Sequence, residues 1–353
     1  SAMPVETRAA NWDTDHDGMP DAWETAHGLS ISDPDDRNGV NPDGYTNLEV
    51  YLNSLGAGDV FRTEWAARGL AVGDIDDDGD LDIVVSTLDD RGRVLRNEGG
   101  TRFVDQTEQS SVGTAENAMG SVVEDLDGDG QLDWFVTSIS GGPDGQACLR
   151  EMALVGCTGN RLYRGFGGVG FDDVTDAWGV RESGWGWGAL AEDLDNGGHR
   201  DLLTVGGQNF GAPEGADPAA PFGAGPVAQA AEYFATGSVR LWRGGPEQPL
   251  EQVAASAGLD RAGLLKAVVA FDHDQDGDLD LVVTDTGAPP RFYRNETPTQ
   301  GHWLDLTLSD DTTPNTHAIG ARVRIPNRAG QPGWVGEVRA GGGYQSSGPG
   351  TLH

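Results

Sequence analysis

The chain has 353 residues, 57 acidic against 23 basic, and a formal net charge of -34. So acidic a surface repels nucleic acid and anionic membranes, and no run of about 18 apolar residues exists to span a bilayer. With 37% hydrophobic residues, 54 Gly and 18 Pro, the core is expected from many short segments between turns, not from long amphipathic helices.

The first residues carry no visible signal peptide, and "SAMPVETRAANWD" reads as a mature end, with "SAM" either native or a cloning remnant. "DTDHDGMPDAWE" then sets Asp13, Asp15, Asp17, Asp21 and Glu24 at positions 1, 3, 5, 9 and 12 of an EF-hand-type loop. Met19 offers its carbonyl at position 7. A short helix is expected from Asp21, and a second over "TNLEVYLNSLG" that closes at Gly56. Between them "NPDGYTNLE" reads as a partner loop with fewer ligands, Asn41, Asp43 and Asn47, with Glu49 as a fourth candidate.

Further along, the pattern D-x-D-x-D-G-x-x-D occurs as "DIDDDGDLD" (74–82), "DLDGDGQLD" (125–133) and "DHDQDGDLD" (272–280). Side chains at positions 1, 3, 5 and 9, with a carbonyl from position 7, give the hard oxygen cage that Ca2+ prefers over Mg2+; glycine at position 6 permits the bend. The expected ligands are Asp74, Asp76, Asp78, Asp80 and Asp82; Asp125, Asp127, Asp129, Gln131 and Asp133; and Asp272, Asp274, Asp276, Asp278 and Asp280. A solvated acidic turn would not explain the fixed glycine and the odd-position spacing. A damaged copy, "DLDNGGHRD" (193–201), keeps Asp193, Asp195 and Asp201 but has Gly197 at position 5 and Arg200 at position 8. Either water completes a weaker site there, or the Arg200 guanidinium neutralises an empty loop.

A small-residue strand precedes each loop ("GLAVGD", "MGSVVED", "WGALAED", "KAVVAFD") and an apolar strand follows it. Next comes a strand ending in Arg ("RVLRNEG", "RLYRGFG", "VRLWRGG", "RFYRNET"), and in the first three units a fourth strand. Loop starts lie 51, 68 and 79 residues apart. Four-stranded antiparallel sheets repeated in this way describe a mainly β chain, a β-propeller with at least four blades, behind a small helical module.

The units resemble FG-GAP/VCBS repeats, the calcium-loop blades of integrin α-subunit propellers and of cartilage acidic protein. The tail from His302 to His353, with "AIGARV" and "EVRAGGGY", resembles the ASPIC/UnbV domain that follows such repeats in bacterial proteins of that type. The segment at 11–55 resembles thrombospondin type-3-like or dockerin-like calcium segments of secreted bacterial polysaccharide-degrading enzymes. The resemblance implies domains at 1–58, 59–297 and 298–353, several structural Ca2+ sites, and a secreted, cell-surface or periplasmic binding or adhesion scaffold. Extracellular protein or polysaccharide is the implied ligand class. Seven blades are implied where four are clear, so the ring closes through the ASPIC/UnbV strands, a degenerate blade or another subunit, which leaves an oligomer open. The family pattern also continues past Leu352 and His353 into a last glycine-containing strand.

The two cysteines, Cys148 and Cys157, share one insertion. A disulfide closing it would add roughly 2–3 kcal/mol and implies an oxidising compartment. Catalytic motifs are wanting: the chain has no HExxH, GxSxG or P-loop, and "GFGGVG" (165–170) joins two strands as a hairpin turn. His16, His199 and His273 sit at loop positions whose side chains are expected to face solvent. Trp185 and Trp187 alternate on one strand and share a face, either as core between blades or as a sugar-stacking pair. The Gly/Ala/Pro-rich stretch 207–234 is the candidate for partner contact. The readings left open are a non-catalytic scaffold, a carbohydrate-binding or catalytic part of a polysaccharide-processing system, and a structural subunit of an extracellular assembly.

Overall fold

The computed structural model describes residues 12–42, 46–48, 50–51, 67–87, 91–100, 102–113, 117–141, 157–210, 226–297, 301–312, 315–326, 334–339 and 341–353. Two compact units divide the chain: residues 1–64 with 98–103, and residues 65–97 with 104–353.

In the first unit the acidic loop runs into helix α1 (Asp21–His27), which ends at Gly28 in the left-handed region, φ 75°. A single 3-10 turn follows over Asp36–Asn38. Residues 47, 48, 50 and 51 are helical, where the second helix is expected; the remainder of it lies outside the described residues.

The second unit is built from antiparallel sheets in chain order. Strands β1 (Ala67–Gly73), β2 (Asp82–Thr87), β3 (Arg93–Asn97) and β4 (Phe103–Asp105) form one sheet. The next contains β5 (Ser121–Glu124), β6 (Asp133–Val136), β7 (Arg161–Gly165) and β8 (Phe171–Asp173). The third contains β9 (Gly186–Glu192), β10 (Asp201–Gly206), β11 (Val239–Arg243) and β12 (Glu251–Gln252). The fourth has three strands, β13 (Leu265–Phe271), β14 (Asp280–Asp285) and β15 (Arg291–Tyr293). Helix α2 (Thr175–Trp178) follows β8, and α3 (Pro226–Ala235) precedes β11. Four blades thus repeat one up-and-down order, a four-blade β-propeller arrangement.

The blades share a register as well as an order. Gly73 pairs with Asp82, Glu124 with Asp133, Glu192 with Asp201 and Phe271 with Asp280, so every acidic loop spans the same hairpin step. Alternation along each strand explains the packing between blades, because successive side chains point to opposite faces. Trp134 and Val136 of β6 join Ala71, Val84 and Val94 of the first blade, whereas Phe135 between them joins Trp178, Leu202 and Trp242 on the other side. Leu203 and Val205 of β10 likewise face Leu265, Val268 and Val283 of the fourth blade. Inner strands follow in sequence, β1 beside β5, β5 beside β9 and β9 beside β13.

The C-terminal stretch forms two short pairs, β16 (Leu306–Thr307) with β19 (Thr351–Leu352), and β17 (Arg322–Ile325) with β18 (Trp334–Glu337). It reaches both ends of the blade series. Glu337 accepts from the Asp74 amide at 3.2 Å on the first blade, and Trp303 covers Gly277 on the fourth. His353 stacks on Trp303 and meets Asn196 Oδ1 at 3.0 Å.

Candidate cation-binding sites

Five acidic loops, one in the first unit and four on the blades, adopt one backbone path. The fourth residue of each lies in the left-handed region: His16, Asp77, Gly128, Asn196 and Gln275 at φ 62°, 61°, 74°, 53° and 62°. The sixth is always glycine at still larger φ, with Gly18, Gly79, Gly130, Gly198 and Gly277 at 98°, 95°, 90°, 86° and 90°. A side chain there would be strained, which accounts for the glycine that every copy keeps beside its aspartates at positions 1, 3 and 9.

Main-chain amides hold this path. The first carboxylate accepts from amides four and five residues on: Asp13 from Asp17 and Gly18, Asp74 from Asp78 and Gly79, and Asp193 from Gly197 and Gly198. Asp272 does the same with Asp276 and Gly277, and Asp125 accepts from Gly128 and Gly130, three and five residues on. The fifth carboxylate takes the amide two residues on: Asp17 from Met19, Asp78 from Asp80, Asp129 from Gln131 and Asp276 from Asp278. On the blades the ninth aspartate is a brace. Asp82 accepts from Ile75 and Asn97, Asp133 from Leu126 and Gly165, Asp201 from Leu194 and Gly244, and Asp280 from His273 and Asn295. Each of these ties its loop to the start of its own hairpin and to the end of the third strand or just beyond it.

The remaining oxygens converge. Ligand atoms of Asp13, Asp15 and Asp17 lie within 4.8 Å of one another, as do those of Asp74, Asp76 and Asp78, of Asp125, Asp127 and Asp133, and of His273, Asp274 and Asp280. A further set joins Asp17, Glu24 and Asp36. In that set Glu24 is fully buried and neither of its oxygens has a hydrogen-bond partner; Asp15 Oδ2, Asp17 Oδ2 and Asp36 Oδ1 are buried and unpartnered too, as is Asp76 Oδ1 on the first blade. Burial, then the neighbouring Asp15 and Asp17 charges, push the Glu24 carboxyl up to about 7. Burial first also raises Asp82 to about 7, Asp125 to about 6 and Asp201 to about 7, and lifts Asp133 well above the usual carboxylate range. Asp280 moves the other way, because amides of Asn295 and His273 and the His273 ring outweigh its burial. Carboxylates gathered with bare, buried oxygens suit a hard divalent cation, which supplies what amide donors do not.

Asp36 has no place in the sequence pattern. It stands twelve residues after Glu24, held by the Ser30 amide on Oδ2 at 2.7 Å and by Asn47 Nδ2 on its carbonyl at 2.8 Å. Asn47, expected as a ligand, gives its side-chain amide to this turn. Asp21 turns back to the Thr14 amide and hydroxyl, each at 2.7 Å. Asn41 is half-buried, while Asp43 and Glu49 lie outside the described residues.

Each blade also supplies a cation of its own. The Arg that closes or follows the third strand points at the position-3 carboxylate: Arg96 at 3.6 Å from Asp76, Arg164 at 2.6 Å from Asp127, Arg243 at 3.3 Å from Asp195 and Arg294 at 2.7 Å from Asp274. In the damaged loop Arg243 takes the part proposed for Arg200. Arg200 itself is buried and leaves its own loop for the second blade, with Nη1 on the Asp125 carbonyl, Nη2 3.3 Å from Glu124 and its guanidinium over Trp334. A position-8 side chain points inward, so an arginine there cannot turn back. His16 and His199 are exposed as expected; the exposed His273 nevertheless sets Nδ1 2.7 Å from Asp280 Oδ2.

Trp185 is buried among Phe210, Phe234 and Ile139. Trp187 lies beside it, half-buried, with Nε1 on the Gly207 carbonyl and Lys266 Nζ over its ring at 3.8 Å. Cys157 is half-buried against the same cluster, and Cys148 lies outside the described residues. Of the stretch 207–234, residues 211–225 lie outside them as well.

Comparison with curated proteins gave no match. Three similar solved structures are a biofilm matrix protein, Bap1, of V. cholerae, a rhamnogalacturonan lyase PL11 of Bacillus licheniformis, and the rhamnogalacturonan lyase YesW. Their TM-scores are 0.31, 0.35 and 0.33 at 12%, 14% and 14% identity, over 73%, 86% and 88% of this chain. The chain spans 34%, 49% and 60% of their respective lengths. Residues 74–136, from the first acidic loop through the second and its following strand, match the model of the FG-GAP-like repeat, and the fold carrying them is a four-blade β-propeller arrangement.

Proposed function

We propose that this chain is a calcium-stabilised β-propeller of the cartilage-acidic-protein-like type, working outside the cytoplasm as a non-catalytic scaffold for a protein or glycan ligand. The observation that carries the calcium reading is the set of bare, buried carboxylate oxygens on Asp15, Asp17, Glu24 and Asp36. Asp13, Asp15, Asp17, Glu24, Asp36 and the Met19 carbonyl would hold one group of ions, and the odd-position aspartates of the blade loops the others. A bound divalent cation offsets the mutual repulsion of these carboxylates. At a free concentration a hundredfold above Kd each site adds about 2.7 kcal/mol to stability. Millimolar calcium is found outside the cytoplasm, which supports the extracellular assignment, as would pairing of Cys148 with Cys157. The stretch 302–353 is assigned to the ASPIC/UnbV type, and 11–55 to a thrombospondin type-3-like segment.

Thermal unfolding of the full chain in EGTA, in CaCl2 and in MgCl2 tests this. Calcium is expected to raise Tm by at least about 10 °C, with magnesium well behind, and Glu24→Gln and Asp36→Asn are expected to lower the number of bound ions. An unchanged Tm and no bound calcium in equilibrium dialysis would overturn the proposal.

A further inference from the structure

The inner strands and the C-terminal stretch line a cavity of about 320 Å3, whose lining takes in Asp272 of the fourth blade's loop, a side chain held by its own loop's amides. Ala71, Ala189, Ala191 and Val268 of the first, third and fourth blades give it apolar lining, and Gly341–Gly343 add bare backbone. Glu124, Glu192, Glu337, Arg200 and Arg339 cluster in its lining, which also holds Asp272, Asp305 and His353.

These five groups do not satisfy one another. Arg339 Nη1 donates to Glu124, but its Nε and Nη2 are buried without a hydrogen-bond partner. Glu337 is 3% exposed; Oε2 accepts from Asp74 and Arg322, while Oε1 is buried and bare, 3.6 Å from Arg339 Nε. Glu124 Oε2 makes no hydrogen bond but lies 3.3 Å from Arg200 Nη2, and the Glu192 side chain makes neither hydrogen bond nor ion pair among the described residues. Donors and acceptors both want partners in the lining of one cavity.

That combination selects a ligand by elimination. An anion would satisfy Arg339 but meet the three glutamates and the already partnered Asp272 and Asp305, whereas an ammonium would satisfy Glu192 but meet two guanidinium groups. Hydroxyl groups do both, since each donates one hydrogen bond and accepts others. The volume equals the liquid share of about ten waters at about 30 Å3 each, close to the non-hydrogen atom count of one sugar ring. Alanine and valine side chains would face the ring's C–H surface. We propose that this cavity binds a single neutral sugar residue, either a free monosaccharide or the terminal unit of a glycan. The inference deepens the scaffold reading and rests on it, by naming the ligand class and the place where it binds.

The test is binding of neutral monosaccharides, their methyl glycosides and oligosaccharides ending in them to the full chain in calcium, read by saturation-transfer NMR and calorimetry. Acetate and methylammonium serve as charged probes. Two variants report on the cavity. Glu192→Gln alters a side chain without a hydrogen bond among the described residues, and Gly342→Phe adds a ring where a Cβ meets open space. At least one neutral sugar is expected to bind one to one, about tenfold or more weakly to Glu192→Gln, and not to Gly342→Phe, with Tm held in both. Equal binding of the methyl glycoside would assign the glycan terminus, and binding of the free sugar alone the monosaccharide. No binding by any neutral sugar, tighter binding of a charged probe, or sugar binding indifferent to both variants would overturn the inference. Loss of calcium stabilisation would instead strike the scaffold reading, and the two failures are separable because the melting assay contains no sugar.

Discussion

Replacing Asp133 with alanine isolates what the ninth aspartate of a blade loop contributes. The side chain is 1% exposed and accepts from the Leu126 amide at 2.9 Å and the Gly165 amide at 3.0 Å, so its removal strands two buried donors. Each orphaned N–H costs about 1–3 kcal/mol, or about 2–6 together. Burial already holds this carboxyl well above its ordinary pKa, so deleting it returns part of that cost in the metal-free protein. The expected loss in EGTA is therefore about 2–4 kcal/mol, a large part of the 5–15 kcal/mol typical of a folded domain. In calcium the loss should grow by up to about 2.7 kcal/mol, because Asp133 also stands in the cluster with Asp125 and Asp127. Urea unfolding followed by tryptophan fluorescence is the assay, with the adjacent, fully buried Trp134 as local reporter. Asp133→Asn, which keeps one acceptor, should fall between the two. A cost below about 0.5 kcal/mol for Asp133→Ala in both conditions would refute the brace argument.

Three further outcomes follow from the geometry. Burial pushes Glu24, Asp82 and Asp201 up to about 7 and Asp125 to about 6, above their unfolded values, so the metal-free stability linked to their protonated forms is fully present below about pH 4 and lost as pH rises through 6 to 7; calcium affinity should rise over the same range. A metal-free Tm that climbs from pH 5 to pH 8 would contradict this. Burial lowers Lys266 to about 8, so the stability linked to its neutral form is present above about pH 10.5 and lost as pH falls through 8; Lys266→Met should gain on the parent at pH 7 and lose that advantage by pH 10. Parallel pH dependence of the two Tm values would dismiss it. A Cβ at Gly120 would stand 2.4 Å from the Trp187 carbonyl of the next blade, so Gly120→Ala should cost about 2 kcal/mol or more in urea unfolding, and a neutral result would mean that the two blades part easily.

The blades were legible because their signals are local: a glycine that must take positive φ, carboxylates at alternate positions, and strand alternation on either side. The damaged loop was recognisable for the same reason, as Asp193 still collects its amides. Asp36 was not legible, since it enters the N-terminal cluster through the chain's return and no spacing announces it. Nor was the course of Arg200, which depends on Glu124 and Trp334 far away in sequence. The arginine ending each third strand was visible as a repeat, but its partner became apparent only once the loop and strand were folded together. Trp185 and Trp187 do share a face, yet their different exposure reflects Phe210, Phe234 and Lys266, which alternation alone does not place.

The third blade shows what the shared backbone path permits. Its loop lacks the fifth aspartate, yet Asn196 and Gly198 keep φ 53° and 86° and Asp201 keeps both of its amides. Shape in these hairpins is thus inherited separately from ligand content. A duplicated blade can shed one carboxylate and still dock against its neighbours, so drift at one loop leaves the others intact. Over successive duplications such a chain can acquire a graded series of ion thresholds, stiffening blade by blade as its surroundings change.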